Sequence, residues 1–266
     1  DSGVRYAFIS NSDNLGATLD FKLLNEFLNS GSSFMMEVTR RTDVDKKGGH
    51  LAKDLKNGNL LLREVAQCPK EDFNEFQNIT KHRYFNTNNI WIRLDRLRSL
   101  MRSSDNNLNL PLIVNRKNLN PSDSQSSKVI QIEVAMGAAI QCFEDSTVIE
   151  VPRSRFSPVK SCEDLLALRS DAYQVSDDFQ IQLCESRGGV PPEVELSDEI
   201  FKNYKTFEEM TPYGAPSLIK CKSIKVEGPV KFGKEISFQG TITITNDSKS
   251  VKEISSGNYI DNNILL

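Results

Sequence analysis

The sequence predicts an α/β fold in which an open sheet of short strands is followed by a parallel β-helix. The apolar, β-rich run of residues 4–9 is suited to a strand buried on both faces, and a helical pattern follows it at residues 17–29. Residues 33–39 form the next strand, so a βαβ unit is expected. Residues 218–244 repeat apolar positions every six residues, which is typical of a β-helix whose sides take six residues each.

The polar turn after the first strand is the first candidate site. Asn11, Ser12 and Asp13 follow the strand directly. Ligands of open α/β sheets gather at the carboxyl ends of strands. Asp13 would offer a hard oxygen ligand to Mg²⁺, and the amides would bind a sugar or nucleotide. The alternative is an Asx turn that only caps the next helix.

Two further polar features interrupt apolar strands. Glu37 lies within a strand, and a carboxylate there needs a partner. An ion pair with Arg40 or Arg41 would satisfy it, and so would hydrogen bonds to sugar hydroxyls. The run at residues 85–91 places three asparagines beside the only tryptophan, more amides than a turn requires, which favours ligand contact by Asn88 and its neighbours.

A stiff cationic segment follows at residues 151–160. Its two prolines fix the backbone and its three cations, ending in Lys160, could hold positive charge near phosphates. A basic surface loop is the alternative. After Tyr173 the sequence becomes polar, and we therefore predict two domains, residues 1–175 and 176–266.

The six-residue period in the second domain involves two apolar positions that recur together. The two series are Leu218, Ile224, Val230, Ile236 and Ile242, and Val226, Phe232, Phe238 and Ile244. Gly228 and Gly240 fall where the chain must turn. Such a domain would serve as a rigid end cap or as a surface for self-association.

Composition narrows the classes of function. The 266 residues carry a formal charge of −3 with scattered cations, which argues against binding to nucleic acid or to a membrane surface. No apolar run approaches the roughly 20 residues that span a bilayer. The five cysteines form no CxxC pair, which indicates a reduced, cytoplasmic compartment.

Five motifs in order, SNSDNLGA, MEVTRRTDVDKKGGHL, FNTNNIW, QIEVAMGAAI and VPRSRFSPVKSCEDLLALRSDAY, resemble the UTP–glucose-1-phosphate uridylyltransferase family. The resemblance is dense over residues 4–173. It implies a Rossmann-like nucleotidyltransferase (GT-A type) mixed sheet with helices on both faces, followed by a left-handed parallel β-helix. It also implies that UTP and glucose 1-phosphate yield UDP-glucose and pyrophosphate, with Mg²⁺.

The resemblance implies a role for particular residues. Asp13 matches the family's metal and nucleotide-phosphate aspartate, with Asn11 and Ser12 in its sugar-phosphate segment. Lys160 matches a lysine that contacts the phosphates.

Two further residues match sugar-binding positions of the family. Asn88 matches a sugar-contacting asparagine, and Glu37 resembles the carboxylate that binds hexose hydroxyls. The family's glycine-rich triphosphate loop and uracil-reading segment are absent from this sequence, so we expect these 266 residues to be inactive alone. The alternatives are a related UDP-sugar or UDP-N-acetylglucosamine pyrophosphorylase, and a non-catalytic fragment used for assembly.

Overall fold

The computed structural model describes residues 3–41, 45–46, 48–121, 123, 125–177 and 179–266. The chain forms two compact units, Asp1–Phe156 and Ser157–Leu266. The boundary that we predict after residue 175 therefore lies too late. The reason is packing, because Leu166 and Ala172 are fully buried in the hydrophobic core of the second unit.

The first unit is built on a mixed sheet of six described strands in the order β4-β3-β5-β2-β8, with β1 also paired to β5. These strands are β1 (Tyr6–Ile9), β2 (Phe34–Arg40), β3 (His50–Lys53), β4 (Leu60–Arg63), β5 (Tyr84–Arg93) and β8 (Thr147–Glu150). A separate antiparallel hairpin joins β6 (Leu112–Asn118) to β7 (Lys128–Val134). The helices are α1 (Phe21–Ser30), α2 (Phe73–Phe76) and α3 (Leu94–Ser103), and the 3-10 turns are Val65–Gln67, Lys70–Asp72, Met136–Cys142 and Arg153–Arg155.

The predicted crossover is present, with one strand inserted. Both β1 and β2 pair antiparallel with β5, on opposite sides of it, so they run parallel to each other and α1 connects them. Strand β2 also pairs in parallel with β8, which makes the sheet mixed. The long strand β5 is therefore the centre of the unit.

Apolar side chains of β5 alternate between two cores. Ile90 and Ile92 pack with leucines of α3 and with Ile140, whereas Trp91 packs against Phe27 of α1 on the opposite face. The predicted placement of helices on both faces is thus confirmed for this sheet. Strand period alone requires this arrangement, since successive side chains point to opposite faces.

Two local predictions for the amino end need correction. Helix α1 begins at Phe21, after its N-cap Asp20, and it ends at Gly31 in the left-handed conformation. Strand β1 is not buried on both faces, because Ile9 is 39% exposed and none of its other residues is fully buried. Among the described strands β1 pairs only with β5, so it lies at an edge of the sheet.

The second unit begins with α4 (Cys162–Arg169) and consists mainly of parallel strands. Its other elements are β9 (Tyr173–Val175), β10 (Ile181–Leu183), a 3-10 turn (Glu185–Arg187), β11 (Glu193–Leu196), α5 (Asp198–Phe201), α6 (Tyr204–Met210), β12 (Ser217–Glu227), β13 (Val230–Phe232), β14 (Ile236–Thr245), β15 (Lys252–Ile254), β16 (Gly257–Ile260) and β17 (Asn263–Leu265). Strands β11, β12, β14 and β16 pair in parallel in that order, β17 also pairs in parallel with β14, and β13 pairs in parallel with β15.

The six-residue period is confirmed as a core pattern. Ile224 pairs with Ile242 and Val226 with Ile244, so paired residues are 18 positions apart, which equals three six-residue sides. All nine predicted apolar positions are at most 4% exposed. Gly228 has a positive φ of 81°, and a Cβ there would lie 2.0 Å from the carbonyl oxygen of Asn246. Only glycine fits that turn.

None of the helices in the described part of the chain combines the length and apolar character that a bilayer crossing requires.

Candidate active site

The central strand β5 bulges at the asparagine-rich motif. Met36 of β2 pairs with Ile90, and Val38 pairs with Asn86. One residue of β2, Glu37, therefore lies opposite three residues of β5. Bulges redirect side chains and are over-represented next to active sites.

On its other side, β5 changes partner at the same place. Strand β1 pairs with β5 at residues 90–93, and β3 pairs with it at Phe85. Between these two pairings, residues of loops form hydrogen bonds with β5. The Asn86 N–H donates to the Gly49 carbonyl (3.0 Å), and the Asn89 side-chain oxygen accepts from Asn14 Nδ2 (3.1 Å).

Asn88 has an unusual backbone within this bulge. Its φ is +57°, in the left-handed region, which costs a non-glycine residue on the order of 1 kcal/mol. The Asn86 and Asn88 amides fix this conformation by bonding each other, at 2.8 Å between side chains and 2.9 Å from the Asn88 N–H. Asn86 and Asn89 are buried, while Asn88 is partly exposed. Asn88 is therefore the amide of this motif that a ligand can reach.

A glycine on the neighbouring 3-10 turn leaves room for these amides. A Cβ on Gly137 would lie 2.8 Å from Asn86 Nδ2 and 3.1 Å from Asn88 Oδ1. Gly137 is therefore a packing residue, and the side chains that pack against it belong to the candidate site.

Asn11, Ser12 and Asp13 form the turn that follows β1. The Asn14 N–H closes this turn on the Asn11 carbonyl at 3.1 Å. The interpretation of the turn as a cap for α1 is wrong, because Asp20 caps that helix by accepting from the Lys22 N–H at 2.7 Å.

The structure brings this turn to the bulge. The hydrogen bond between Asn14 and Asn89 joins the residues that directly follow Asp13 and Asn88. Four predicted residues, Asn11, Ser12, Asp13 and Asn88, therefore lie on two segments that are bonded together.

Glu37 belongs to the interior of the first unit. Its side chain is 0% exposed, and its carboxylate accepts four hydrogen bonds, from Arg155 Nε (2.7 Å), Arg155 Nη2 (2.8 Å), Trp91 Nε1 (2.8 Å) and Asn89 Nδ2 (3.0 Å). A carboxylate offers about four lone-pair positions, so these donors satisfy it. Its partner is neither Arg40 nor Arg41. We place Glu37 among the groups that support the site and not among those that would contact a hexose.

The cationic segment divides between different partners. Arg155 pairs with Glu37, and Arg153 makes a two-point ion pair with Asp45 at 2.8 and 2.9 Å. Both arginines thus stabilise the first unit. Lys160 lies in the second unit, where its side chain is exposed and its N–H donates to Asp164 Oδ2 (2.8 Å). Its contact with phosphate stays a prediction.

The described residues do not form a metal site by themselves. No group of three or more histidine, cysteine or acidic side chains that could hold a metal occurs among the described residues. Asp13 nonetheless fits Mg²⁺, which binds through one or two carboxylates and completes its coordination with water and substrate phosphates.

A stacked pair of histidines lies next to Phe85. His50 is fully buried, and its ring stacks on His82 at a centroid distance of 4.1 Å. Burial, followed by the charges of His82, Arg41 and Arg63, lowers the pKa of His50 to about 3. His50 is therefore neutral at physiological pH.

Comparison with known proteins identifies the family. A sequence profile described as UTP–glucose-1-phosphate uridylyltransferase matches residues 1–239. The chain belongs to this family. It is 38% identical over 260 residues to the UTP–glucose-1-phosphate uridylyltransferase of Saccharomyces cerevisiae, covering 98% of this chain and 50% of the yeast protein. The Musa acuminata protein of the same name is 39% identical over 263 residues, covering 99% of this chain and 54% of the plant protein.

Solved structures of family members have the same fold. The crystal structure of a UDP-glucose phosphorylase from Trypanosoma brucei superposes with a TM-score of 0.88 at 51% identity, covering 99% of this chain and 57% of that one. A UDP-glucose pyrophosphorylase from Leishmania major gives a TM-score of 0.86 at 48% identity, covering 99% and 58%. The chain spans about half the length of the curated relatives it matches.

Sequence reasoning did not single out three residues that organise the candidate site. Asn14, Asn89 and Arg155 are buried and connect the turn, the bulge and Glu37. Asn14 and Asn89 directly follow the predicted site residues Asp13 and Asn88, and Arg155 lies in the predicted cationic segment. The available signal was an excess of amides and cations in short segments, which does not tell an internal partner from a ligand contact.

Proposed function

We propose that this chain forms the sugar-phosphate-binding part of a UTP–glucose-1-phosphate uridylyltransferase, which makes UDP-glucose and pyrophosphate. The observation that carries the proposal is the bulge of β5. There Asn88 is held in a left-handed conformation and partly exposed, beside the turn of Asn11 to Asp13. Neutral amides that both donate and accept suit sugar hydroxyls, and the nearby carboxylate suits a phosphate-bound cation.

The reaction is an in-line substitution at phosphorus. An oxygen of glucose 1-phosphate forms a bond to the α-phosphorus of UTP, and the bond from that phosphorus to the bridging oxygen of pyrophosphate breaks. No covalent enzyme intermediate is needed. Catalysis therefore depends on holding the two substrates in line and on stabilising negative charge.

Asp13 would hold Mg²⁺ together with the substrate phosphates. When bound, the metal would neutralise charge that develops on the phosphate oxygens. Asn11 and Ser12 would orient the sugar phosphate, and Asn88 would bind the hexose. Lys160 would contribute a compact positive charge next to the phosphates.

The proposal includes three further features of the protein. The parallel strands with 18-residue spacing support a left-handed parallel β-helix in the second unit. That unit would also mediate any self-association, which the native mass would reveal. The free thiols of all five cysteines support a cytoplasmic location.

Two measurements test the proposal. Calorimetry should show that the chain binds UDP-glucose, whereas a fragment that serves only assembly should bind none. Assays of the complete protein with a panel of sugar 1-phosphates would show whether it uses glucose 1-phosphate or N-acetylglucosamine 1-phosphate. The relatives reported above are both named UTP–glucose-1-phosphate uridylyltransferase, which does not favour the N-acetylglucosamine enzyme.

In the complete protein, Asp13→Asn should lower turnover by about 100-fold and weaken its Mg²⁺ dependence, because an amide is a poorer magnesium ligand. Asp54→Asn is the matched control, since the Asp54 carboxylate accepts the Lys56 N–H within a local turn of the first unit. Equal rates for the two variants at limiting Mg²⁺ would remove Asp13 from the site.

A further inference from the structure

The turn that carries Asp13 is attached to the body of the first unit at three places. Each attachment involves a different part of Arg155, which the sequence analysis counts among three cations that could lie near phosphates or in a basic surface loop. The side chain of Arg155 is 10% exposed. This inference rests on the proposed function, because it concerns how that site is held in place.

The first attachment is the Asn14 side chain, which is 4% exposed. Its Nδ2 donates to the Arg155 carbonyl and to Asn89 Oδ1, both at 3.1 Å, and its Oδ1 accepts the Gly16 N–H at 3.2 Å. Both N–H groups of the amide are therefore used, and they fix the residue next to Asp13. Because a buried amide needs its hydrogen bonds, these three bonds hold the Asn14 side chain in one orientation.

The second attachment is direct contact between backbones. A Cβ on Gly16 would lie 2.3 Å from the Ser154 carbonyl oxygen and 2.7 Å from the Arg155 carbonyl carbon. The loop can approach residues 154–155 this closely only because residue 16 has no side chain.

The third attachment is the guanidinium group of Arg155. Its Nη2 donates to the Thr18 carbonyl at 2.9 Å while the same group forms a two-point pair with Glu37 at 2.7 and 2.8 Å. Glu37 is in turn fixed by Trp91 and Asn89. The planar fork of an arginine can serve both partners at once, which a lysine cannot.

We propose that Arg155 is a positioning residue, which fixes the loop of residues 11–18, and hence Asp13, against the bulge of β5. Glu37 orients Arg155, and Asn14 and Gly16 transmit its position to Asp13. The cation of Arg155 thus acts inside the fold on the loop and does not contact phosphate.

The test uses two variants that disturb the loop by different means and leave the Glu37–Arg155 pair intact. Asn14→Ala removes the polar attachment, and Gly16→Ala adds a methyl group where the backbones touch. Asn115→Ala is the matched control, because that amide makes one bond, to Glu133, on the hairpin. Circular dichroism and thermal melts establish that each variant is folded.

Backbone amide exchange over residues 11–18 is the first readout and does not depend on activity. We expect exchange there to become at least about tenfold faster in both loop variants, with no change in the control. Kinetics of the complete protein are the second readout. A displacement of about 1 Å costs on the order of 100-fold, so kcat should fall by that factor while KM for UTP stays within about twofold.

The outcomes are distinguishable. Wild-type exchange and wild-type kcat in both folded loop variants would overturn the proposal, and so would faster exchange with unchanged kcat. If the wild-type protein neither binds UDP-glucose nor turns over, the proposed function fails. The exchange measurement then still decides whether Arg155 and its partners fix the loop.

Discussion

Replacing Glu37 by glutamine tests whether this carboxylate supports the fold or binds a sugar. The substitution keeps the shape of the side chain and removes its charge. One oxygen becomes an NH₂ group, which then faces two donors of the four that Glu37 now accepts. The Arg155 guanidinium also loses its buried counter-charge. Breaking a buried pair by removing one partner typically costs about 3–5 kcal/mol, so we expect a loss of that size in the free energy of unfolding.

Urea unfolding followed by tryptophan fluorescence is a direct assay, because the only tryptophan donates a hydrogen bond to Glu37. Glu150→Gln is the matched control. Glu150 lies on β8 of the same sheet and makes an exposed ion pair with Arg40, so its replacement should leave the unfolding curve nearly unchanged.

The reasoning about Glu37 is refuted by one combination of results. If Glu37→Gln unfolds like the Glu150 control but binds UDP-glucose much more weakly, then Glu37 contacts the hexose, as the family resemblance implies. A large loss of stability places Glu37 inside the fold.

Three further predictions concern other parts of the chain. In the complete protein, Lys160→Ala should lower kcat and kcat/KM together by about 100-fold without unfolding the chain, and Lys160→Arg should restore them only in part. Lys222→Ala is the control and should have no kinetic effect. If Lys160→Ala has the kinetics of the wild type, Lys160 is a surface charge. Ile236→Asp should destabilise the second unit by more than about 4 kcal/mol in a urea titration, because Ile236 is 4% exposed, whereas Ser237→Asp should have a small effect. The fold favours neutral His50, so stability should be complete above pH 6.5 and should fall towards pH 3 by up to about 1.4 kcal/mol per pH unit. His50→Phe keeps a ring in the stack and should flatten this pH dependence of the unfolding free energy, and an equally steep curve in the variant would contradict the assignment.

The amino-acid sequence by itself determined the features that depend on local periodicity. The six-residue spacing identified nine core positions of the second unit, because a regular coil must bury the same positions on every turn. The excess of amides at residues 86–89 and the polar turn after β1 predicted two segments of the candidate site, which the structure joins through the hydrogen bond between Asn14 and Asn89. The five motifs indicated the family that the comparisons show.

Only the tertiary structure decided which polar residue contacts which partner. Glu37 and Arg155 are 118 positions apart in the chain, and no local pattern relates them. The sequence therefore suggested Arg40 and Arg41, which are near in the chain but bond elsewhere, Arg40 to Glu150 and Arg41 to backbone carbonyls. Side-chain hydrogen bonds depend on which strands become neighbours, and that choice is made by the packing of the whole sheet.

The observed domain boundary and the observed start of α1 differ from the predicted ones because contacts between distant segments decide them. Composition changes after Tyr173, but Leu166 is already buried in the second core, so packing and not polarity sets the boundary. The apolar spacing from residue 17 suggested an earlier helix. In the structure Gly16 lies against the backbone of residues 154 and 155 and the Thr18 carbonyl accepts from Arg155, so the helix begins only after Asp20, which caps it. Periodicity is a property of neighbours in the chain, whereas these boundaries are set by contacts between segments far apart in it.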